Sequence, residues 1–379
     1  MQYRTMGPRV PEQVSALGFG CMRFPKTEDG KIEREESSRM LEYALENGVN
    51  YVDTAWPYHG GESEEFVGEF LSGGRREKIL LATKFPVWEV KEEADLDRIF
   101  TTQLERLQTD YIDFYLLHAL NEERYQKIQD FKMIEWAAQK KQEGKIRYLG
   151  FSFHDEWPVF KKIVDMYDQW DFCQIQYNYM NETYQAGTKG LKYATERDIA
   201  VVVMEPLLGG SLANTPEAVD VIFDEAANKR SNVEWALDWL WDKPDLGVVL
   251  SGMSSMEQVE EDVRYAERSS VGMLTDKERK LFPRAKKAYE SMQPVPCTQC
   301  NYCMPCPYGV DIPGNFAIFN DYYKFADREK ALMQYNKFMP EENRASACTR
   351  CEECIPKCPQ NIMIPDCLEK VREELAQPA

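Results

Sequence analysis

The sequence predicts an α/β fold: a (β/α)8 TIM barrel followed by a small, mostly α-helical domain rich in cysteine. Along the first 270 residues, short apolar runs alternate eight times with longer segments of helical periodicity, as in a parallel barrel. Nine of the eleven cysteines fall between positions 297 and 367, which marks a separate C-terminal domain. A doubly wound open sheet shows the same alternation and is the alternative that periodicity leaves open.

The eight apolar runs are short and read as strands buried on both faces. They cover residues 14–21, 49–54, 79–83, 112–117, 146–152, 172–176, 199–204 and 248–251. Between the last two, Ser231 and Glu234 form a capping box that predicts the start of a helix, and Pro244 ends it.

Three segments follow from this pattern. We place the barrel at residues 1–272, a charged helical linker at 273–295 and the cysteine-rich domain at 296–379. The length suits this division, because a barrel of this kind uses about 250 residues. Within the linker, a helix over 276–291 is expected to be kinked or restarted at Pro283.

Composition and charge narrow the choice of partner. The formal net charge is −18, which disfavours nucleic acid and anionic membrane surfaces. The sequence contains no run of 18 or more apolar residues and begins without a secretory signal. We therefore expect a cytoplasmic protein that acts on small molecules or exchanges electrons with redox proteins.

Four polar residues stand at or near predicted strand ends, where the chemistry of a barrel is found. Asp53 lies at the end of the second run, Lys84 and His118 directly follow the third and fourth, and Tyr58 lies on the loop after Asp53. Taken singly, Asp53 reads as a helix cap, and Tyr58 and His118 read as packing residues. Lys84 is harder to explain, because a buried lysine needs a partner. Together the four predict an active site.

Their chemistry is coherent. A lysine ammonium lowers the pKa of a nearby tyrosine, so we expect Lys84 to make Tyr58 a usable general acid. Asp53 would hold Lys84 in place and keep it charged, while His118 would orient a carbonyl oxygen or share the proton. This set can protonate an oxygen while hydride reaches its carbon.

At these residues the sequence resembles the aldo-keto reductases over roughly residues 1 to 270. The segments that match, in the family's order, are LGFGCMRFP, YVDTAWPYHGGESEE, LLATKFP, YIDFYLLHAL, KIRYLGFSFHD, QIQYNYMN and SGMSSMEQVEED. The resemblance implies an eight-stranded barrel that transfers hydride between a nicotinamide coenzyme and a carbonyl or alcohol, with Tyr58 as the proton donor.

The same resemblance implies a coenzyme site. Ser152 and Gln174 would hold the nicotinamide carboxamide, and the segment MEPLLGGSL would run along the pyrophosphate. The residues implied to bind the coenzyme are Gly20, Met22, Asp53, Ser152, Gln174, Met204, Pro206, Leu207, Ser251, Gly252, Ser254, Gln258, Glu261 and Asp262.

Two departures from the family pattern bear on the coenzyme. Met204 replaces the aromatic residue that commonly stacks on the nicotinamide, and gives a softer contact. Gly252 and Gln258 stand where many members place the lysine and arginine that bind a 2′-phosphate. The sequence therefore favours NAD(H) over NADP(H), although Ser254 and Ser255 could still bind a phosphate.

The cysteines form two sets, one at positions 297, 300, 303 and 306 and the other at 348, 351, 354 and 358. A cytoplasmic setting disfavours disulfides, and two zinc ions held by thiolates are an alternative. Three cysteines around one spot with a fourth before proline are more typical of a ferredoxin, in which the fourth cysteine binds the other cluster. Two 4Fe-4S clusters are then expected.

The exchange of fourth ligands predicts two sets. Cys297, Cys300, Cys303 and Cys358 would bind one cluster, and Cys348, Cys351, Cys354 and Cys306 the other. Over its whole length the chain resembles the aldo-keto reductases that carry a C-terminal ferredoxin-like extension of the helical type. Cys367, outside both runs, is expected to pack a helix, and Cys21 and Cys173 are expected to be core residues.

Three functions remain open from the sequence. The first, which the four strand-end residues favour, is a nicotinamide-dependent carbonyl reductase or alcohol dehydrogenase with structural or electron-passing clusters. The second is a redox enzyme whose clusters deliver single electrons from a ferredoxin-like partner to the barrel. The third is a catalytically silent electron-transfer protein. Direct coupling of hydride to single electrons would need an intermediary such as a flavin, for which no sequence feature was found.

Overall fold

Eight parallel strands close into a barrel at the N-terminal end of the protein. The computed structural model describes residues 1–376, and its strands are β1 (Tyr3–Thr5), β2 (Gln13–Ser15), β3 (Leu17–Gly20), β4 (Tyr51–Asp53), β5 (Leu80–Phe85), β6 (Ile112–Leu120), β7 (Ile146–Phe153), β8 (Phe172–Gln176), β9 (Ala200–Met204) and β10 (Val248–Ser251). β10 pairs with both β9 and β3, which closes the sheet. The barrel is confirmed, and the open-sheet alternative is wrong.

The first predicted run, residues 14–21, is divided between two elements. β2 pairs with β1 in an antiparallel hairpin, and only β3 joins the barrel. The other seven predicted runs each contain one barrel strand, with ends that differ by a few residues.

The alternation of side chains along the strands builds the interior of the barrel. Residues on one face of the strands, among them Tyr51, Ala82, Leu116, Phe172 and Val202, form a buried apolar cluster. Side chains of a strand alternate in direction, so the residues two positions further on share this face at the carboxyl ends. Those residues are Asp53, Lys84, His118, Gln174 and Met204.

Fifteen α-helices lie within the described residues. They are α1 (Arg34–Glu46), α2 (Glu62–Leu71), α3 (Ala94–Arg106), α4 (Glu122–Asp130), α5 (Met133–Gln142), α6 (Trp157–Asp165), α7 (Gly187–Thr195), α8 (Glu217–Phe223), α9 (Asn232–Trp241), α10 (Met256–Glu267), α11 (Asp276–Arg279), α12 (Leu281–Ser291), α13 (Ile312–Phe325), α14 (Arg328–Met333) and α15 (Ile364–Leu375). A π-helical turn, Gln334–Phe338, follows α14. None of these helices is both long and apolar enough to cross a membrane.

The linker helix is interrupted earlier than the sequence predicts. α11 ends at Arg279 and α12 begins at Leu281, so Pro283 lies in the first turn of α12. There its missing N–H removes no intrahelical hydrogen bond. The predicted break at Pro283 is therefore wrong by a few residues.

Of the described residues, the second compact unit contains 210–232 and 276–376, while the first contains 1–209 and 233–275. The second unit is mainly helical, with a core that includes Val310, Phe316 and Val371. Ile312 and Ile364 begin α13 and α15, each followed by proline in the first turn. The domain boundaries predicted at residues 272 and 295 stay predictions.

Candidate active site and cluster sites

A buried lysine links three polar groups at the mouth of the barrel. The Lys84 ammonium donates hydrogen bonds to Asp53 Oδ1 at 2.5 Å, to the Thr54 carbonyl at 2.8 Å and to Tyr58 Oη at 3.2 Å. Lys84 and Asp53 are 1% and 2% exposed, so solvent does not screen this pair. The structure thus brings together three of the four residues that the sequence singles out.

Burial and charge act in opposite directions on the ionisation of these groups. Burial opposes the charge of Lys84, but Asp53 and Tyr58 outweigh it, and the pKa of Lys84 is raised. Burial raises the pKa of Tyr58, and the Lys84 ammonium offsets only part of that rise. The expected net lowering of the Tyr58 pKa is therefore wrong, because the sequence does not show how deeply Tyr58 is buried.

His118 completes the group as a neutral imidazole. Its ring centroid lies 6.3 Å from that of Tyr58 and 5.1 Å from that of Trp88. Burial, together with Lys84, His154 and Arg124, holds the pKa of His118 well below its usual value. His118 lies where β6 and β7 lose register between Leu117 and Leu120, an irregularity of the kind that re-aims side chains beside active sites.

A second layer of hydrogen bonds, centred on Glu64 and Gln103, supports the backbone of Lys84. Gln103 Nε2 donates to the Lys84 carbonyl at 3.1 Å and to Glu64 Oε1 at 2.6 Å. Thr83 Oγ1 also donates to Glu64 Oε1, at 2.7 Å. Arg106 pairs with Glu64 at 3.3 Å and lies 4.1 Å from the ring centroid of Trp56, two residues before Tyr58.

Sequence reasoning missed this layer. Its one signal is that Glu64 shares the helical face of α2 with Val67, Gly68 and Leu71, all of them buried. A carboxylate in an apolar helical stripe requires buried partners.

The residues expected to hold the carboxamide lie side by side. Ser152 on β7 and Gln174 on β8 are direct neighbours in the parallel register. Ser152 Oγ accepts a hydrogen bond from the Ala119 amide at 2.7 Å, which leaves its proton available to a ligand. Gln174 Oε1 is buried without a hydrogen-bond partner. A primary amide, which donates and accepts, fits these two groups.

The other residues expected to bind the coenzyme follow the strand ends. Gly20 ends β3, Met204 ends β9 and Ser251 ends β10. Met22 is exposed, Pro206 is buried and Leu207 is half-buried on the loops that follow.

In the segment after β10, the polar groups form hydrogen bonds with one another. The Ser254 amide and hydroxyl both donate to Gln258 Oε1, at 2.8 and 3.2 Å, and Ser255 caps α10 through the Gln258 amide. Burial raises the pKa of Asp262 to about 7, and a hydrogen bond from Ser251 opposes that rise. Glu261 is half-buried beside it.

Arg23 is a cation near this segment that sequence reasoning missed. A Cβ added at Gly252 would lie 3.0 Å from Arg23 Cδ, so the stem of Arg23 covers the position where the expected lysine is absent. Arg23 and Gly252 are more than two hundred residues apart in the sequence, so the sequence alone did not indicate this contact.

The eight cysteines of the two runs line two cavities in the second unit. One is lined by Cys297, Cys300, Cys303 and Cys358. The other is lined by Cys306, Cys348, Cys351 and Cys354, and also by Cys303, which therefore lines both cavities. Each cavity thus contains the four cysteines of one predicted set, and their assignment as cluster ligands stays a prediction. Within residues 1–376, no three Cys, His, Asp or Glu side chains converge on a site for a single ion.

The remaining cysteines lie outside the cavities. Cys21 and Cys173 are fully buried, as predicted, and Cys367 is half-buried against the core of the second unit.

A closed parallel barrel with this polar group at its mouth, in one chain with two cysteine cavities, defines an oxidoreductase. The chain belongs to the aldo/keto reductase family, whose model matches residues 16–278. The model of the 4Fe-4S dicluster domain matches residues 296–364. The C-terminal domain is therefore an iron–sulfur domain, which argues against the alternative of two zinc sites.

The similar proteins cover most of the barrel. The chain is 29% identical over 306 residues to the uncharacterized oxidoreductase YqkF of Bacillus subtilis, covering 71% of this chain and 92% of that protein. It is 26% identical to the NADH-specific methylglyoxal reductase of Escherichia coli, covering 62% and 84%. The holo structure of the aldo-keto reductase AKR11C1 from Bacillus halodurans is 29% identical, with a TM-score of 0.62, and covers 76% and 97%.

Proposed function

We propose that the barrel reduces a carbonyl compound, or oxidises the corresponding alcohol, with Tyr58 as general acid and base. The hydrogen bond from Lys84 to Tyr58 is the observation that carries this proposal. When bound, the reduced nicotinamide supplies a hydride, with its two electrons, to the carbonyl carbon. Tyr58 gives its proton to the oxygen, so that one C–H and one O–H bond form as the carbonyl π bond breaks.

The neighbours of Tyr58 serve this proton transfer. The upward shift of its pKa keeps the phenol of Tyr58 protonated at neutral pH, so Tyr58 carries the proton that it donates before the reaction begins. The Lys84 ammonium stabilises the phenolate that remains, and Asp53 keeps the ammonium charged and in place. Neutral His118 can donate a hydrogen bond to the carbonyl oxygen and orient it without competing for the proton.

The coenzyme we propose is NAD(H) in preference to NADP(H). Ser254 is bound to Gln258, and Glu257, Glu260 and Glu261 add negative charge along α10. A 2′-phosphate placed here would meet this charge with few free donors. Arg23 is the cation that acts against this preference.

For the second unit we propose two 4Fe-4S clusters, each bound by the cysteine set of one cavity. Such clusters supply one-electron transfer. Cys300 and Cys351, one from each set, are exposed, which favours electron exchange with a redox-protein partner. A cytoplasmic setting is consistent with eleven cysteines that form no disulfide.

The test is anaerobic purification with assay of iron, sulfide, zinc and flavin, followed by equilibrium titration with NADH and NADPH. We expect about eight irons and eight sulfides per chain, tighter binding of NADH, and reduction of a panel of aldehydes and ketones that requires Tyr58. Failure of both nucleotides to bind would overturn the proposal for the barrel. Zinc in place of iron would overturn the proposal for the second unit.

A further inference from the structure

We infer that Gln176 is a further coenzyme-binding residue, which completes the amide site begun by Ser152 and Gln174. This inference rests on the nicotinamide coenzyme of the proposed function. It concerns a buried glutamine whose amide makes no hydrogen bond within the protein.

The position of Gln176 follows from the strand. Gln176 is two residues beyond Gln174 on β8, so both side chains emerge on the same face. That face begins with Phe172, which belongs to the apolar cluster of the barrel interior. Gln176 is paired in register with Met204 on β9, the residue that replaces the expected aromatic contact of the nicotinamide. It therefore lies at the barrel mouth, between the carboxamide site and Met204.

The amide of Gln176 is buried and unsatisfied. Gln176 is 1% exposed, and neither Oε1 nor Nε2 has a hydrogen-bond partner. A buried polar group left without a partner destabilises the folded protein, so a donor and an acceptor left together are unusual in a packed interior. Asn178, two residues further along, uses both of its amide atoms within the protein.

The missing partner has a definite chemistry. A group that satisfies Gln176 must accept one hydrogen bond and donate another, as a primary amide does. The nicotinamide carboxamide has two N–H donors and a carbonyl oxygen with two lone pairs. The Ser152 hydroxyl can donate to one lone pair of the carboxamide oxygen, and Gln174 Oε1 can accept from one of the two N–H groups. One lone pair and one N–H of the carboxamide then remain without a partner. Gln176 offers a donor and an acceptor for these two.

The experiment is a binding cycle on the complete, anaerobically purified protein. Dissociation constants are measured without substrate for NADH and for its 3-acetylpyridine analogue, in which a methyl group replaces the amide nitrogen. Gln176→Met keeps the length of the side chain and removes both polar atoms. Gln139→Met, on an exposed glutamine of α5 that donates only to Glu143, is the matched control.

We expect Gln176→Met to weaken NADH binding by about tenfold, as the loss of a buried hydrogen-bonding partner does. The wild type should bind the analogue less tightly than NADH, because the acceptors of Gln174 and Gln176 both lose an N–H. In Gln176→Met only one acceptor is affected, so the ratio of the two dissociation constants should fall several-fold. Gln139→Met should keep the wild-type ratio.

Thermal unfolding without coenzyme gives a second readout. Gln176→Met should unfold at the wild-type temperature or above it, because it removes two unsatisfied groups. A clear loss of stability would show that the amide has a partner inside the protein and would overturn the inference, as would an unchanged ratio of dissociation constants. Failure of the wild type to bind any nicotinamide coenzyme would instead overturn the proposed function itself.

Discussion

Lys84 donates a 2.5 Å hydrogen bond to Asp53 Oδ1 inside the mouth of the barrel, where both residues are sealed from solvent. The other carboxylate oxygen, Asp53 Oδ2, is buried without a partner. Two charges taken out of water are stable only if each compensates the other. Asp53 therefore keeps Lys84 charged, and the charged Lys84 stabilises the phenolate form of Tyr58.

The first prediction concerns the proton donor. Tyr58→Phe removes the hydroxyl and leaves the ring in place, so we expect kcat for carbonyl reduction to fall by about 10²–10⁴-fold. Equilibrium binding of NADH should change little. Tyr184→Phe, on an exposed tyrosine, serves as the control and should keep wild-type turnover. Full turnover by Tyr58→Phe on every substrate in the panel would show that Tyr58 is not the proton donor, whereas no turnover by the wild type would support the catalytically silent interpretation.

The second prediction concerns the buried pair. Lys84→Met leaves Asp53 without its compensating charge, and we expect the free energy of unfolding to fall by about 3–5 kcal/mol. Adding Asp53→Leu should restore part of this stability, because the double variant has no unpaired charge. Urea unfolding followed by tryptophan fluorescence measures both. If the double variant instead loses as much free energy of unfolding as the two single variants together, the two residues act independently.

Much of the barrel could be predicted from the sequence because strand patterning is local. The run that became β8 has the predicted bounds, and the sequence placed Asp53, Lys84 and His118 at or near the carboxyl ends of their strands. Their catalytic role stays a prediction. The packing of Arg23 over Gly252 could not be predicted, because it depends on the closure of β3 against β10.

The ionisation of the site was predicted only in part. The sequence shows which charges are near Tyr58, but burial decides the net direction of its pKa, and burial is a property of the assembled barrel. Glu64 was missed for the same reason, since its partners Thr83 and Gln103 come from β5 and α3. The structure brings the cysteines of each predicted set to one cavity, and the binding of a cluster by each set stays a prediction.

The third prediction is a pH dependence of stability. In the folded protein the pKa of Asp262 is raised by burial to about 7, whereas an unfolded aspartate titrates near pH 4. Between these values the folded state holds a proton that the unfolded state has lost, so the stability that Asp262 contributes falls as pH rises from about 4 to about 7. Asp262→Asn has no proton to lose. Its unfolding temperature, relative to the wild type, should rise from pH 5 to pH 7.5.

The control for this prediction is Asp276→Asn, at an exposed position on α11. Its difference from the wild type should not change over the same interval. A difference between Asp262→Asn and the wild type that is constant with pH would show that Asp262 is ionised throughout.

The fourth prediction concerns coenzyme choice. Gln258→Arg places a cation at the start of α10 and removes the acceptor that Ser254 uses. The ratio of the NADPH to the NADH dissociation constant should fall by about tenfold, as expected for one charge-assisted contact to phosphate. Gln258→Met, which frees Ser254 without adding charge, separates the two effects. If both variants shift the ratio equally, release of Ser254 is the cause and charge is not.

The last prediction concerns the clusters and their independence from the barrel. Cys351→Ala removes an exposed ligand from the cavity that also contains Cys306, so iron should fall from about eight to about four per chain. Cys367→Ala, outside both cavities, should keep all the iron. If the clusters only pass electrons to a partner, Cys351→Ala should retain NADH-dependent carbonyl reduction, because the coenzyme supplies the hydride and Tyr58 supplies the proton. Loss of that activity, with NADH binding and the far-ultraviolet spectrum unchanged, would favour the interpretation in which single electrons from the clusters drive the barrel chemistry.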